Sequence, residues 1–390
     1  MPIQNPWDEE VVQGVQRFVQ QKIIGRAQEL EADPSYPEEI VSALKELGLF
    51  SIAVPQEFGG LELSVPTYAK IMEELAAGWT TLSCFLNSHT SASSILARHG
   101  TAQQKQSWLP SMATGELRVA IALTEPNGGS DLQAIRSSAR KQADGGYVLN
   151  GSKIFITNGA RAGAVVVLAR TGSGKDGISL FMVHKGLAGF TVGANARTLG
   201  HSHIDVAELV FQDVKLPAEA LVGQVEGQGL KQMLDALETG RIAMAATAVG
   251  LSRSALKAAQ DFAAQRVAFG TEIINHQAIQ MYLADMATQT MAAQSLVQTA
   301  AVVKQSGQRA DMVCGMAKLF AGETCAKVAL DCVRIHGGGG FVSDFPAERY
   351  YREAPYFIVT EGTNEIQKLI IAKRMQAGDA QALGLEGGHP

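Results

Sequence analysis

The chain has 390 residues, 46% hydrophobic, 18% charged and 6% aromatic, with a net charge of −5. That length holds about two or three domains, and the acidic balance offers no basic field to nucleic acid or anionic lipid. Met1 to Glu10 lacks a basic region followed by an apolar run. No stretch approaches the roughly 18 apolar residues of a membrane span, and Cys84, Cys314, Cys325 and Cys332 lack metal-site spacing. A cytoplasmic protein with no membrane, nucleic-acid or metal partner is expected.

Residues 1–118 read as helical. Val11, Val15, Phe18, Val19 and Ile23 keep a helical period, and Pro37 opens a second helix that Gly48 ends. Further helices run from Tyr68 to Ala77, from Leu82 to His99, and to about Met112. His89 and His99 have no acidic or nucleophilic partner in the sequence and read as structural or surface residues.

Residues 119–228 change pattern. Val119–Leu123 is a short apolar strand, alternation returns at Ile135–Arg140, and Asp144-Gly145-Gly146 reads as a hairpin turn. Strands are expected at 147–150, 154–157, 165–169, 178–183, 191–193 and 208–214. Ala164–Ala169 is apolar throughout and reads as buried. With no helical crossover and no GxGxxG opening a helix, a parallel nucleotide-binding sheet is not expected. In residues 229–390 three long helices are expected, over 230–264, 276–303 and 311–336, joined into a four-helix bundle, with a loose tail after Met375. Cys325 and Cys332, seven apart, fall on one side of the third helix as small core residues.

Several loops carry residues suited to a ligand. In Leu123-Thr124-Glu125-Pro126-Asn127-Gly128-Gly129-Ser130-Asp131 the hydroxyls of Thr124 and Ser130 flank glycines that permit close approach to a phosphate or planar ring. A surface turn is the alternative. Phe155 and Thr157, two residues apart in Lys153-Ile154-Phe155-Ile156-Thr157-Asn158-Gly159, share a strand face beside which a flat heterocycle would fit, as would an ordinary half-buried strand. Arg266-Val267-Ala268-Phe269-Gly270 ends the first long helix, and arginine suits a pyrophosphate. Gly337 to Gly340 form a run whose entropy cost makes sense against a ligand or another subunit. Last comes Thr360-Glu361-Gly362-Thr363-Asn364-Glu365-Ile366-Gln367, a carboxylate in a loop where Gly362 allows close approach and Thr363 caps a helix.

Together, and in this order, these motifs resemble the acyl-CoA dehydrogenase family over nearly the whole chain. The resemblance implies an α+β multidomain fold: an N-terminal helical domain, a middle β-barrel or sandwich domain and a C-terminal four-helix bundle. It also implies a homotetramer built as a dimer of dimers, with one FAD per subunit. Carried over, Leu123, Thr124, Gly129 and Ser130 would contact the flavin and its pyrophosphate, with Ser130 also near the CoA chain. Phe155 and Thr157 would flank the isoalloxazine. Arg266, Phe269, Gln277, Arg334, Gly337 and Gly338 would line the site shared between subunits. Thr363 and Glu365 would meet the adenosine half of FAD, and Glu238, Arg241 and Gly362 would meet substrate.

Glu361 matches the family's catalytic base. The implied reaction removes the α-proton of an acyl-CoA thioester to Glu361 and the β-hydride to flavin N5. It yields a trans-2-enoyl-CoA, with electrons passing to an electron-transferring flavoprotein. In members with the base on the first long helix, that position corresponds to Gly240, two residues from Glu238. Four features depart from the usual pattern. Arg334 stands for Gln, Phe155 for Trp and Thr360 for Tyr, and the segment Leu199–Val206, with Ser202 between His201 and His203, departs from a Gly-x-Arg-x-Ser-x-Thr run. A solvated loop is expected around His201 and His203, with contact to a polar acyl group or a CoA phosphate as the alternative. The alternatives within the resemblance are a flavin monooxygenase or oxidase of the same fold, and a non-catalytic nucleic-acid-binding relative, which the charge of −5 disfavours.

Overall fold

The computed structural model describes residues 6–33 and 35–378, so the loose tail expected after Met375 lies, from residue 379 on, outside the described residues. The N-terminal part is helical: α1 (Pro6–Phe18), α2 (Ala27–Ala32), α3 (Glu38–Glu46), α4 (Val65–Gly78), α5 (Thr81–His99) and α6 (Ala102–Ala113). The first periodic segment does not stay α-helical. A π-helical turn, Val19–Ile23, and a 3₁₀ turn, Ile24–Arg26, follow α1, and Val19 and Ile23 remain buried. α3 stops where Gly48 turns left-handed at φ 72°, a conformation glycine takes without a Cβ penalty. α6 starts in a capping box between Thr101 and Gln104.

The middle part is one seven-stranded sheet: β1 (Val119–Ala122), β2 (Ser138–Lys141), β3 (Tyr147–Thr157), β4 (Ala164–Arg170), β5 (Ile178–His184), β6 (Phe190–Asn195) and β7 (Val206–Leu216). β2 and β3 form the expected hairpin around Gly145. One expectation is corrected. Residues 147–150 and 154–157 belong to a single long strand, because register shifts against β7 absorb Gly151 and the residues after Lys153 without breaking it. The sheet is also mixed, since β4 pairs in parallel with both β1 and β2, although no helix makes the crossover between them. β4 explains its unbroken apolar run. Val165, Val167 and Ala169 enter the core enclosed by the sheet with Tyr147, Phe181 and Phe211. Ala164, Val166 and Leu168 face the opposite way, among Ile95, Leu96, Leu109 and Met112 of α5 and α6.

The C-terminal part contains α7 (Gly229–Gln265), a two-residue-stranded hairpin of β8 (Val267–Ala268) and β9 (Thr271–Glu272), α8 (Gln277–Gln305), α9 (Asp311–His336), α10 (Ala347–Glu353), α11 (Tyr356–Val359) and α12 (Asn364–Gln376). α7, α8, α9 and α12 form the helical bundle, with Cys325 and Cys332 in its core. The hairpin and the two short helices α10 and α11 were not expected. α4 belongs to this unit, together with the chain up to Val12 and from Arg241 onward. Its buried Glu73 and Glu74 bind Arg253 of α7 and Lys70, and Glu73 also accepts a bond from Gln294 of α8. These cations hold the Glu74 carboxyl below the usual carboxylate range against the opposing effect of burial. α7 can approach so closely because position 250 is glycine: a Cβ there would sit 2.3 Å from the Glu73 carbonyl oxygen. The second unit comprises Gln13–Ser64 and Thr81–Gly240.

Candidate active site

In the sheet-bearing unit, the loop after β1 is tied to β3 from below. The Thr124 carbonyl accepts the Ile154 N–H at 2.9 Å, and the loop closes on itself through paired bonds between Glu125 and Gly128. The anchor is an ion pair between two buried side chains. Lys153 Nζ lies 2.8 Å from Glu125 Oε1 and 3.0 Å from the Leu123 carbonyl, while Glu125 also accepts the amides of Arg136 and Ser137 at 2.7 and 3.0 Å. Burial pushes the Lys153 ammonium down to about 8, and the Glu125 charge opposes that fall. Burial also acts to raise the Glu125 carboxyl, but Lys153 and the two backbone donors outweigh it and hold the group below its ordinary range. The anchor leaves Gly129 and Ser130 exposed above it, with Thr124 and Leu123 half-buried. Sequence reasoning quoted Lys153 and Glu125 within their motifs but gave them no part. An acid and a lysine 28 positions apart carry no pairing signal before the hairpin brings them together.

Phe155 and Thr157 do not sit on a regular pleat as expected. Phe155 occupies the irregular stretch between Lys153 and Ile156, has φ 57°, and leaves its ring 63% exposed. A left-handed phenylalanine held out to solvent combines backbone strain with unburied apolar surface, a pairing typical of a ligand-facing position. Asn158, also left-handed at φ 59°, ties this end of the strand to α5 through the Cys84 carbonyl at 3.2 Å. The loop of His201 and His203 is the clearest correction. Both rings are buried, not solvated, because neighbouring Asp205 locks the segment inward by accepting the Ala160 N–H at 2.6 Å and the Asn158 N–H through its carbonyl at 2.8 Å.

In the bundle unit, Glu361 also has left-handed backbone, φ 53°, followed by Gly362 at φ 84°. The half-buried Glu361 is held by its carbonyl, which accepts from Arg241 Nε and Gln367 Nε2, both at 3.4 Å. Gln367 donates to the Gly362 carbonyl as well, at 3.0 Å, and a Cβ on residue 362 would lie 2.9 Å from that nitrogen. Thr363 caps α12 as expected, its hydroxyl accepting the Ile366 N–H at 3.3 Å. Glu365 is exposed beside that cap, and its own backbone N–H and the Thr363 hydroxyl hold its carboxyl below the usual range. Beneath the turn lies Lys318, 1% exposed, which sequence reasoning passed over. Its Nζ donates to the Ile358 carbonyl at 3.1 Å and to Asn364 Oδ1 at 2.8 Å. A lysine in a helical pattern reads as surface, and only the packing of α9 under α11 and α12 buries it.

The remaining residues of this unit cluster by exposure. Arg266 and Gln277 are exposed at either end of the β8–β9 hairpin, and Phe269 at its tip is 97% exposed with φ 52°. Arg334 is exposed at the end of α9, yet its charge is not free, since Asp331 lies 2.8 Å away. The four glycines divide. Gly337, left-handed at φ 58°, and Gly338 have open space where a Cβ would be. Gly339 abuts the Phe345 ring, and Gly340 packs on the Val333 carbonyl, 2.5 Å from an added Cβ. Half the run therefore answers internal packing, and half presents bare backbone. Along α7, Glu238 is half-buried, Gly240 is buried, and Arg241 is buried where it reaches Glu361.

Each unit thus offers a donor set suited to part of a flat, phosphate-bearing group. One has hydroxyls, unobstructed glycine backbone and an outward aromatic ring. The other has open glycines, two exposed guanidinium groups and an outward aromatic ring. Residues 5–116, 120–214 and 227–376 match the N-terminal, middle and C-terminal domains of acyl-CoA dehydrogenase. An acyl-CoA dehydrogenase of Bacillus subtilis is 39% identical over 93% of this chain and 96% of that protein. The butyryl-CoA dehydrogenase structure from Megasphaera elsdenii superposes with a TM-score of 0.92 at 34% identity, covering 96% of this chain and all of that one. A structure described as PigA with FAD and proline superposes at 0.91 with 28% identity, covering 96% of this chain and 99% of that one.

Proposed function

The chain belongs to the acyl-CoA dehydrogenase family, and from that premise we propose that it is an FAD-dependent dehydrogenase. It converts an acyl-CoA thioester to its trans-2-enoyl-CoA with Glu361 as the base. The observation that carries this reading is the turn at Glu361. A left-handed carboxylate residue, with its carbonyl bonded by Arg241 and Gln367 and a glycine behind it, is a backbone turn held in a strained conformation by surrounding structure. The chemistry asks for such a group. A thioester α-proton is weakly acidic, so the carboxylate must be positioned against the Cα–H bond and kept partly from water, which raises its basicity. The developing enolate oxygen needs donors, for which the backbone N–H of Glu361 is the candidate within this chain. FAD, when bound, supplies the acceptor for the hydride leaving the β-carbon.

The residues proposed to hold FAD are Leu123, Thr124, Gly129, Ser130, Phe155 and Thr157 of one unit, and Arg266, Phe269, Gln277, Arg334, Gly337, Gly338, Thr363 and Glu365 of the other. Ser130, Glu238, Arg241 and Gly362 are proposed for the acyl-CoA. A homotetramer is proposed because Phe269, Met281, Met291, Phe341 and Leu369 all expose apolar side chains on the bundle unit. An electron-transferring flavoprotein is the proposed oxidant. Anaerobic titration of the purified yellow protein with acyl-CoAs of graded length and branching tests the reading, and at least one should bleach the flavin. Bleaching by none of them, with turnover instead on a carrier-bound or free amino acid such as proline, would replace this function with the oxidase alternative, which the likeness to the PigA structure keeps in view.

A further inference from the structure

Lys318 has a feature that the packing of the bundle does not require. It is a cation placed where only 1% of the residue reaches solvent, and burying an ammonium is costly unless charge and hydrogen bonds repay it. Its two acceptors are uncharged: the Ile358 carbonyl at the end of α11 and Asn364 Oδ1 at the start of α12. Those two residues bracket Thr360-Glu361-Gly362-Thr363. Asn364, itself fully buried, is fixed from the other side by donating to Glu323 Oε1 at 3.0 Å. A neutral donor would meet the same two acceptors, so the hydrogen bonds do not explain the charge.

We propose that Lys318 is a positioning residue for the Glu361 base. Its bonds to Ile358 and Asn364 pin both ends of the turn, and it sets a buried cation among the carboxylates of Glu361, Glu365 and Glu323. This rests on the reading of Glu361 as the base. The charged groups around Lys318 are Glu361, Arg241 of α7, Glu365 of α12 and Glu323 of α9. Burial pushes the Lys318 ammonium down to about 8, and Glu361 leads the charges that hold it up. The same attraction acts on Glu361 in the opposite sense: a cation nearby lowers the pH at which the carboxylate gives up its proton. Arg241, which touches the Glu361 carbonyl, adds to the positive side. Removing the cation should therefore raise the pH at which the enzyme becomes active.

The test separates charge from bonding. Lys318→Gln keeps donors for the Ile358 and Asn364 oxygens but removes the charge, whereas Lys318→Met removes both. The rate of flavin reduction at saturating acyl-CoA is measured against pH for the FAD-loaded proteins, with the bound-flavin absorbance as a check on the site. In Lys318→Gln the acid limb of that profile should move up by about one pH unit or more, with a limiting high-pH rate close to that of the unchanged enzyme. Lys318→Met should show the same shift together with a limiting rate reduced about tenfold or more, since the turn is then unpinned. Asn364→Ser, which leaves Lys318 in place, should lower the limiting rate without the full shift and carries the positioning half if Lys318→Met does not fold. An acid limb that stays put in Lys318→Gln, or a limiting rate within twofold in both Lys318→Met and Asn364→Ser, overturns the proposal. If no acyl-CoA reduces the flavin of the unchanged enzyme, the functional reading fails instead.

Discussion

Four left-handed non-glycine residues, Phe155, Asn158, Phe269 and Glu361, fall within the ligand-suited motifs first picked out for their composition. At a β-branched or bulky residue this conformation costs free energy that the surrounding fold must offset, so its recurrence at these loops is the structural counterpart of the sequence signal. Glu361→Gln should keep the bound-flavin spectrum and lower the rate of reduction by acyl-CoA about a thousandfold, as measured by stopped-flow absorbance. A histidine gives a second residue-scale test. His89 Nε2 lies 3.1 Å from both the Phe50 and Met112 carbonyls, while its Nδ1 accepts the Val119 N–H at 3.2 Å, so the ring is held neutral with its proton on Nε2. Burial lowers its pKa to about 4 from the usual 6.5. Because the folded value lies below the unfolded one, the unfolded chain takes up a proton first. Stability from this group is full above pH 6.5 and declines as pH falls toward 4, by on the order of 3 kcal/mol. Denaturant midpoints at pH 7.5 and pH 5 should differ less in His89→Gln than in the unchanged protein.

At the scale of elements, what the sequence disclosed depended on whether a signal was local. The long helices α5, α7, α8 and α9 follow from apolar period and their caps, and the β2–β3 hairpin follows from Asp-Gly-Gly. β4 was readable as buried because both of its faces are covered. The reading failed where a long-range partner decides. Gly151 looked like a strand break, but pairing with β7 carries the strand through it. α10 and α11, of seven and four residues, are too short to show a period. His201 and His203 looked solvated because Asp205, which draws their loop inward, gives no sign of it in sequence. The candidate site divides the same way: its loops were found from glycines, hydroxyls and one carboxylate, whereas the buried supports Lys153, Glu125 and Lys318 appear only once elements pack. The tetraglycine offers a test of the division between packing and display. Gly340→Ala should destabilise the protein by about 1–3 kcal/mol, because its Cβ meets the Val333 carbonyl. Gly338→Ala should leave the melting temperature nearly unchanged while weakening FAD retention in dialysis.

On the scale of the whole molecule, exposed apolar side chains concentrate in the bundle unit. Phe269 and Phe341, 97% and 88% exposed, are unusual on the surface of a single chain. Phe269→Asp should shift the protein to smaller assemblies in light scattering and, if the proposed cofactor contacts hold, release FAD at the same time. Among the described residues no helix is long and apolar enough to cross a membrane, so these side chains are not read as a span.

The place of α4 has a consequence for how the protein is made. Its buried Glu73 and Glu74 find their guanidinium partner in Arg253, about 180 positions later, and its Glu73 carbonyl waits for the bare backbone of Gly250. At a translation rate of roughly 5–20 residues per second, this helix leaves the ribosome on the order of ten seconds before the segment that covers it. During that interval two carboxylates and an apolar face stand open to water. The bundle can therefore close around α4 only near the end of synthesis.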